Sequence, residues 1–109
     1  MSLYGDYLRE RTFDEIIETE KGFATYRFMD DSCVYIIDIY VKPEFRKSGA
    51  ASDIADTIVE IAKKRGCYKL MGSVVPSTKG STTSLKVLLG YGMSLESSSN
   101  DFIIFSKEI

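Results

Sequence analysis

The sequence predicts an α+β fold whose elements run β-β-β-α-β-α-β-β around a mixed, mostly antiparallel sheet. Three observations carry that reading. Residues 35–41 form an apolar run that stops at Lys42-Pro43. Apolar residues then recur at Ala51, Ile54, Ala55, Ile58, Ile61 and Ala62, the spacing of one helix face. Short runs of strand type, separated by turn residues, lie on both sides of that unit.

Residues 1–12 carry Leu3, Tyr4, Tyr7 and Leu8 at helical spacing and read as a short helix or an extended lead-in. Residues 13–19 and 23–29 read as strands joined by the hairpin turn Glu20-Lys21-Gly22. Asp30-Asp31-Ser32 turns the chain into a third strand, residues 34–41. It is apolar on both faces, which places it centrally. The small and basic turn Arg46-Lys47-Ser48-Gly49-Ala50-Ala51 opens the long helix, and Lys64-Arg65-Gly66 ends it with cations and glycine at its negative pole. Residues 68–75, closed by Pro76, form a strand parallel to residues 34–41, because a helix connects the two. After the polar loop 77–81, Ser81 or Thr82 caps a short helix with Leu85, Leu88 and Leu89 on one face, stopped by Gly90. Residues 91–96 and 102–106 then form an antiparallel hairpin across the turn Ser97-Ser98-Ser99-Asn100.

At 109 residues the chain reads as one domain, 1–109, able to bury a single core. No apolar run reaches membrane length and no signal peptide opens the chain. Histidine is absent, which excludes Ser-His-Asp and Cys-His nucleophile pairs and His-based metal sites. Cys33 and Cys67 form no metal or redox motif and read as buried free thiols, which suits a reducing cytoplasm. The net charge of −2 is uneven: residues 1–31 hold eight acids against four bases, hence −4, and the remainder is positive. The acidic part could face a cationic acceptor or simply be a solvated surface. Basic residues do not cluster with aromatics, so no nucleic-acid partner is expected.

The turn before the long helix has a physical use. The first N–H groups of a helix lack internal partners, and the dipole makes that end positive. Gly49, Ala50 and Ala51 let an anion approach those groups, and Arg46 and Lys47 add charge. The fitting guest is a phosphate or pyrophosphate; the alternative is an ordinary strand-to-helix loop.

Residues 41–51, VKPEFRKSGAA, resemble the coenzyme-A signature of the GNAT superfamily of N-acetyltransferases, with Arg46, Gly49 and Ala51 at its defining positions. The resemblance spans roughly residue 15 to the C-terminus and implies a GNAT-type, three-layer α/β/α fold from its second strand onward. The family's first strand and the two helices after it, which help wall the acceptor site, have no counterpart in residues 1–12. The implied cosubstrate is acetyl-coenzyme A, with no metal. Its pyrophosphate would be gripped by N–H groups of Arg46, Lys47, Ser48, Gly49, Ala50 and Ala51, although Ser48 stands where the signature usually has lysine. N–H groups around Ile39, Tyr40 and Val41, where family members splay the strand open, would polarise the thioester.

Asp38 is the single charge in residues 34–41. It matches the second member of an acidic pair that some family members carry, and Ile37 occupies the place of the first. Asp38 is therefore either the base that deprotonates the amine, with its pKa raised by burial, or a carboxylate that ties down neighbouring backbone. The usual general-acid tyrosine, four residues before a Gly-aromatic pair, aligns with Leu88 if Gly92-Met93 is that pair. Ser81 takes the place of a frequent asparagine. Tyr40 and Tyr91 are the substitute acids, or else core residues. The implied activity is acetyl transfer to an amine, perhaps a protein lysine or N-terminus. The alternative is a non-catalytic GNAT module that binds coenzyme A or a protein partner. Without the two early helices part of the sheet would lie open, which predicts a homodimer or a docking partner.

Overall fold

The computed structural model describes residues 3–12, 14–77, 79 and 81–109. Six strands form one sheet in the order β1-β2-β3-β4-β6-β5. Helix α1 (Leu3–Thr12) packs beside β1 (Glu15–Glu18). The antiparallel pair β1 and β2 (Gly22–Phe28) leads into β3 (Cys33–Val41). A 3-10 turn (Pro43–Phe45) precedes α2 (Ala50–Lys64), and α2 leads to β4 (Lys69–Val74), the parallel partner of β3. Helix α3 (Ser81–Gly90) then leads to the hairpin of β5 (Ser94–Ser99) and β6 (Phe102–Glu108).

The lead-in is thus a helix, although several of its side chains lie outside the described residues. The first strand is shorter than residues 13–19, and Phe13 lies outside the description. The last hairpin is displaced from its expected place. Tyr91 and Gly92 form a turn, and the serine run 97–99 extends as strand β5. Serines are poor strand formers in a core, but every residue of β5 is exposed, and an edge strand accepts polar side chains. The turn moves to Asn100, which adopts φ 50, a conformation asparagine tolerates.

Both long helices end on the same device. The Gly66 N–H donates to Lys63 O (3.0 Å) and the Cys67 N–H to Ala62 O (2.9 Å). At α3 the Gly92 N–H donates to Leu89 O (3.0 Å) and the Met93 N–H to Leu88 O (3.1 Å). These are Schellman motifs, and the residue after each glycine packs back into the core. Gly92, at φ 89, therefore ends α3, two residues beyond Gly90.

α2 buries Ala50, Ile54, Ala55, Ile58 and Ala62 against the sheet. Ile58 of α2 and Leu70 and Val34 of the sheet are the largest fully buried side chains, each contributing about 1.5–3 kcal/mol through burial. At the start of β1, buried Asp14 accepts a hydrogen bond from the Arg27 Nε at 2.5 Å.

Strand β3 is central in the sheet, yet it is not apolar-buried on both faces. Thr25 pairs with Asp38 and Tyr26 with Ile36, so Ile37 is an extra, bulged residue. The bulge shifts the alternation by one. Val34, Ile36, Ile39 and Val41 face the helices, whereas Asp38 and Tyr40 are exposed on the opposite face.

Candidate functional site

Between Val41 and α2 the chain makes two left-handed residues, Lys47 (φ 64) and Gly49 (φ 87). The Arg46 Nε donates to Val41 O at 2.9 Å, and the guanidinium lies over the Tyr40 ring at 5.6 Å, so Arg46 ties the turn to the strand end. The Ser48 hydroxyl donates to Phe45 O. No side chain caps α2, and its first backbone bond runs from Asp53 N–H to Gly49 O at 3.0 Å. The N–H groups of Ala50, Ala51 and Ser52 therefore have no partner within the helix. A Cβ built on Gly49 would meet no heavy atom within 4 Å. The positive end of a 15-residue helix thus opens onto a clear approach beside Arg46 and Lys47. The donor set fits a pyrophosphate.

The two parallel strands diverge beside that turn. β3 and β4 pair only at Cys33–Lys69, Val34–Leu70 and Tyr35–Met71. Beyond those pairs β3 continues to Val41 and β4 to Val74 with no ladder between them. The side of β3 that faces β4 is therefore without a strand partner from Ile36 to Val41, where the sequence places the polarising N–H groups. Over the gap lies an apolar cleft lined by Ile36 and Ile39 of β3, Ala51 and Ala55 of α2, and Leu88 and Tyr91 from α3 and its end. Its volume is about 20 Å³. β4 presents Gly72 there, and Leu88 fills the space that a side chain would take: a Cβ on Gly72 would lie 3.2 Å from its Cδ2.

The candidate catalytic residues fall on opposite sides of the sheet. Tyr91 is at the cleft, and its hydroxyl donates to the Asp56 carboxylate at 2.6 Å. Burial, with the Asp56 carboxylate beside it, holds the Tyr91 hydroxyl well above the ordinary phenol range. Asp38 and Tyr40 lie on the other face, where Tyr40 stacks on Phe23 at 5.6 Å between ring centroids. The premise of a buried Asp38 does not hold, because the Ile37 bulge turns it outward. Tyr35 shares this face, and its hydroxyl bonds that of Ser73 on β4, across the top of the gap.

The model of the acetyltransferase (GNAT) family matches residues 11–87. The chain belongs to the GNAT family. A thialysine N-epsilon-acetyltransferase of Bos taurus is 38% identical over 71 residues, which cover 62% of this chain and 42% of that protein. The chain thus spans less than half the length of the curated relatives it matches. Among solved structures, the PaiA N-acetyltransferase of Thermoplasma acidophilum in complex with coenzyme A superposes with a TM-score of 0.77 at 16% identity, covering 98% of this chain and 69% of that one. A GNAT family acetyltransferase from Elizabethkingia anophelis with acetyl-CoA bound gives 0.72 at 16% identity, covering 99% and 86%. At such identities the likeness is one of fold.

Of the residues the sequence singles out in this GNAT chain, Arg46 to Ala51 lie together in the turn, and Ile39, expected there for its backbone N–H, also lines the cleft with its side chain. Sequence reasoning missed Ile36, Ala55 and Asp56. Ala55 was visible only as a helix-face residue, since periodicity cannot tell a core neighbour from a cleft wall. The Tyr91–Asp56 pair joins residues 35 apart, and no local pattern signals it.

Proposed function

We propose that this chain is an acetyl-coenzyme-A-dependent N-acetyltransferase acting on an amine. The observation that carries the reading is the uncapped N-terminus of α2 behind Gly49, opening directly beside the β3–β4 gap. The acetyltransferase name of the bovine relative and the coenzymes bound in the two solved structures support it. The N–H groups of Lys47 through Ala51 hold the pyrophosphate, since that of Arg46 is taken by Pro43 O at 3.3 Å, and Ile36, Ile39, Ala55 and Leu88 take the apolar arm. Acetyl-coenzyme A supplies an activated acyl group, and the N–H groups of Ile39 and Val41, on the side of β3 that has no strand partner, polarise its carbonyl, whereas that of Tyr40 points to β2. One such donor is worth about 3 kcal/mol in a transition state.

The gap passes through the sheet, so an amine on the far face meets Asp38, with Tyr40 and Phe23 beside it. Asp38 takes the amine proton, directly or through water. The new C–N bond forms as the C–S bond breaks. With Leu88 in the tyrosine place and the Tyr91 proton given to Asp56, water protonates the thiolate. A thiol pKa of about 8.5 makes that adequate, though slow. The far face carries the stacked Phe23 and Tyr40 rings, and residues 1–31 carry a net −4. These features favour a cationic amine presented by a larger surface, such as a protein lysine or N-terminus.

We read residues 1–109 as one GNAT-like domain, working in the cytoplasm as a homodimer. The two free, buried cysteines favour a reducing compartment. Exposed Tyr40 and Phe102 on one face favour a covering partner. A second reading, a coenzyme-binding module without catalysis, is favoured by the missing acid at Leu88.

Calorimetry and single-turnover acetylation test the reading on wild type and Gly49→Glu. Wild type should bind acetyl-coenzyme A and acetylate a lysine peptide. The glutamate should abolish binding by placing a carboxylate in the phosphate approach. Binding without transfer to any amine, peptide or polyamine would leave the module, and no binding by wild type would sink both.

A further inference from the structure

Tyr91 spans the cleft. It leaves the end of α3, lines the cleft with Val87 and Leu88, and reaches Asp56 on α2 at 2.6 Å. Its backbone is anchored: its N–H donates to Val87 O at 3.0 Å and its carbonyl accepts from Lys107 Nζ at 2.9 Å. The same ammonium lies 4.6 Å from the ring centroid. The α2 side of the cleft consists of Ala51, Ser52 and Ala55, small side chains that interlock weakly. The Asp56–Tyr91 bond joins the two helices at this point.

The cleft volume is about 20 Å³, room for about one water molecule. A coenzyme arm of methylene and amide groups is far larger, so α2 and the end of α3 must part to admit it. We infer that the Asp56–Tyr91 hydrogen bond is a latch across the cleft, and that its release admits the coenzyme arm. The inference rests on the coenzyme reading above. Asp56 is a positioning residue, acting through Tyr91. Tyr91 is half-buried, but its partner Asp56 is exposed, so water can reach the carboxylate end and the bond can open and re-form. In this role Tyr91 is a gate and not an acid, because its hydroxyl hydrogen is directed at Asp56.

The test is stopped-flow association of coenzyme A with wild type, Asp56→Asn, Tyr91→Phe and, as control, Tyr68→Phe, an exposed tyrosine elsewhere. Hydrogen exchange over residues 85–93 is read in parallel without coenzyme. Tyr91→Phe should associate about two- to tenfold faster, the range a single hydrogen bond covers. Asp56→Asn should move the same way by less, and KM for the coenzyme should fall with little change in kcat. Exchange over residues 85–93 should quicken in both variants, and the control should match wild type. Unchanged or slower association in both variants overturns the latch. If no protein binds coenzyme A, the coenzyme reading falls and exchange decides the latch: quickened exchange keeps it as an interhelix tie, and unchanged exchange removes it.

Discussion

Asp38 follows the extra residue of β3, and that residue decides which side of the sheet its carboxylate occupies. Without the bulge at Ile37, period-two alternation would put Asp38 on the buried face with Val34 and Ile36. A buried, unpaired carboxylate there would cost several kcal/mol or shift to its neutral form. The bulge avoids that cost and leaves Asp38 exposed. Asp38→Asn should therefore leave the melting temperature within a degree or two of wild type, since little structure depends on it. Turnover at neutral pH should fall about 10²-fold or more, the scale of a lost general base. Thermal melts and single-turnover acetylation measured together check this. A lower melting temperature with intact turnover would return Asp38 to a structural role.

The end of α3 shows how one residue places two elements. Gly92 closes the helix, and the two N–H groups at Gly92 and Met93 satisfy the last carbonyls of α3. Met93 is thereby driven into the core, 4% exposed, against Leu88 and the Gly72 backbone. β5 can begin only after this turn, which is why the last hairpin starts at Ser94 and not at residue 91. Gly92→Ala should cost about 1–2 kcal/mol, because L-residues resist φ near +90°. The added Cβ would also lie 3.4 Å from Lys107 Nζ, the group that anchors the Tyr91 carbonyl. For a chain of this size the melting temperature should drop by about 5–10 °C. Differential scanning calorimetry checks it, and an unchanged melting temperature would mean that the turn relaxes at no cost.

At the scale of the molecule the two faces of the sheet are unequal. α2 and α3 cover the face that carries Ala24, Val34, Leu70 and Phe105, all 4% exposed or less. The other face leaves Tyr40 and Phe102 exposed at 43% and 41%. An apolar surface of this kind attracts a second surface in water. Sedimentation at high micromolar concentration should show a dimer, and Tyr40→Glu should shift it towards monomer. A clean monomer for wild type would instead assign that face to the acceptor alone.

The sequence by itself determined the order of the strands and of α2 and α3, the α2 face, the glycine that ends α2 and the small-residue turn that opens it. Each of these is a local matter. Helix periodicity, left-handed glycines and unpaired N–H groups at a helix start depend on residues a few positions apart, and the signature from Val41 to Ala51 is contiguous. Only the tertiary structure decided the rest. The Ile37 bulge arises from the register between β2 and β3, not from any residue preference within β3. The gap beside β3 depends on where its ladder with β4 stops. The strand character of the serine run depends on its lying at an edge, where water satisfies polar side chains. The Tyr91–Asp56 tie, the cleft and the opposite placement of Asp38 and Leu88 depend on how α2 and α3 pack over the sheet, a matter of contacts between residues far apart in the chain.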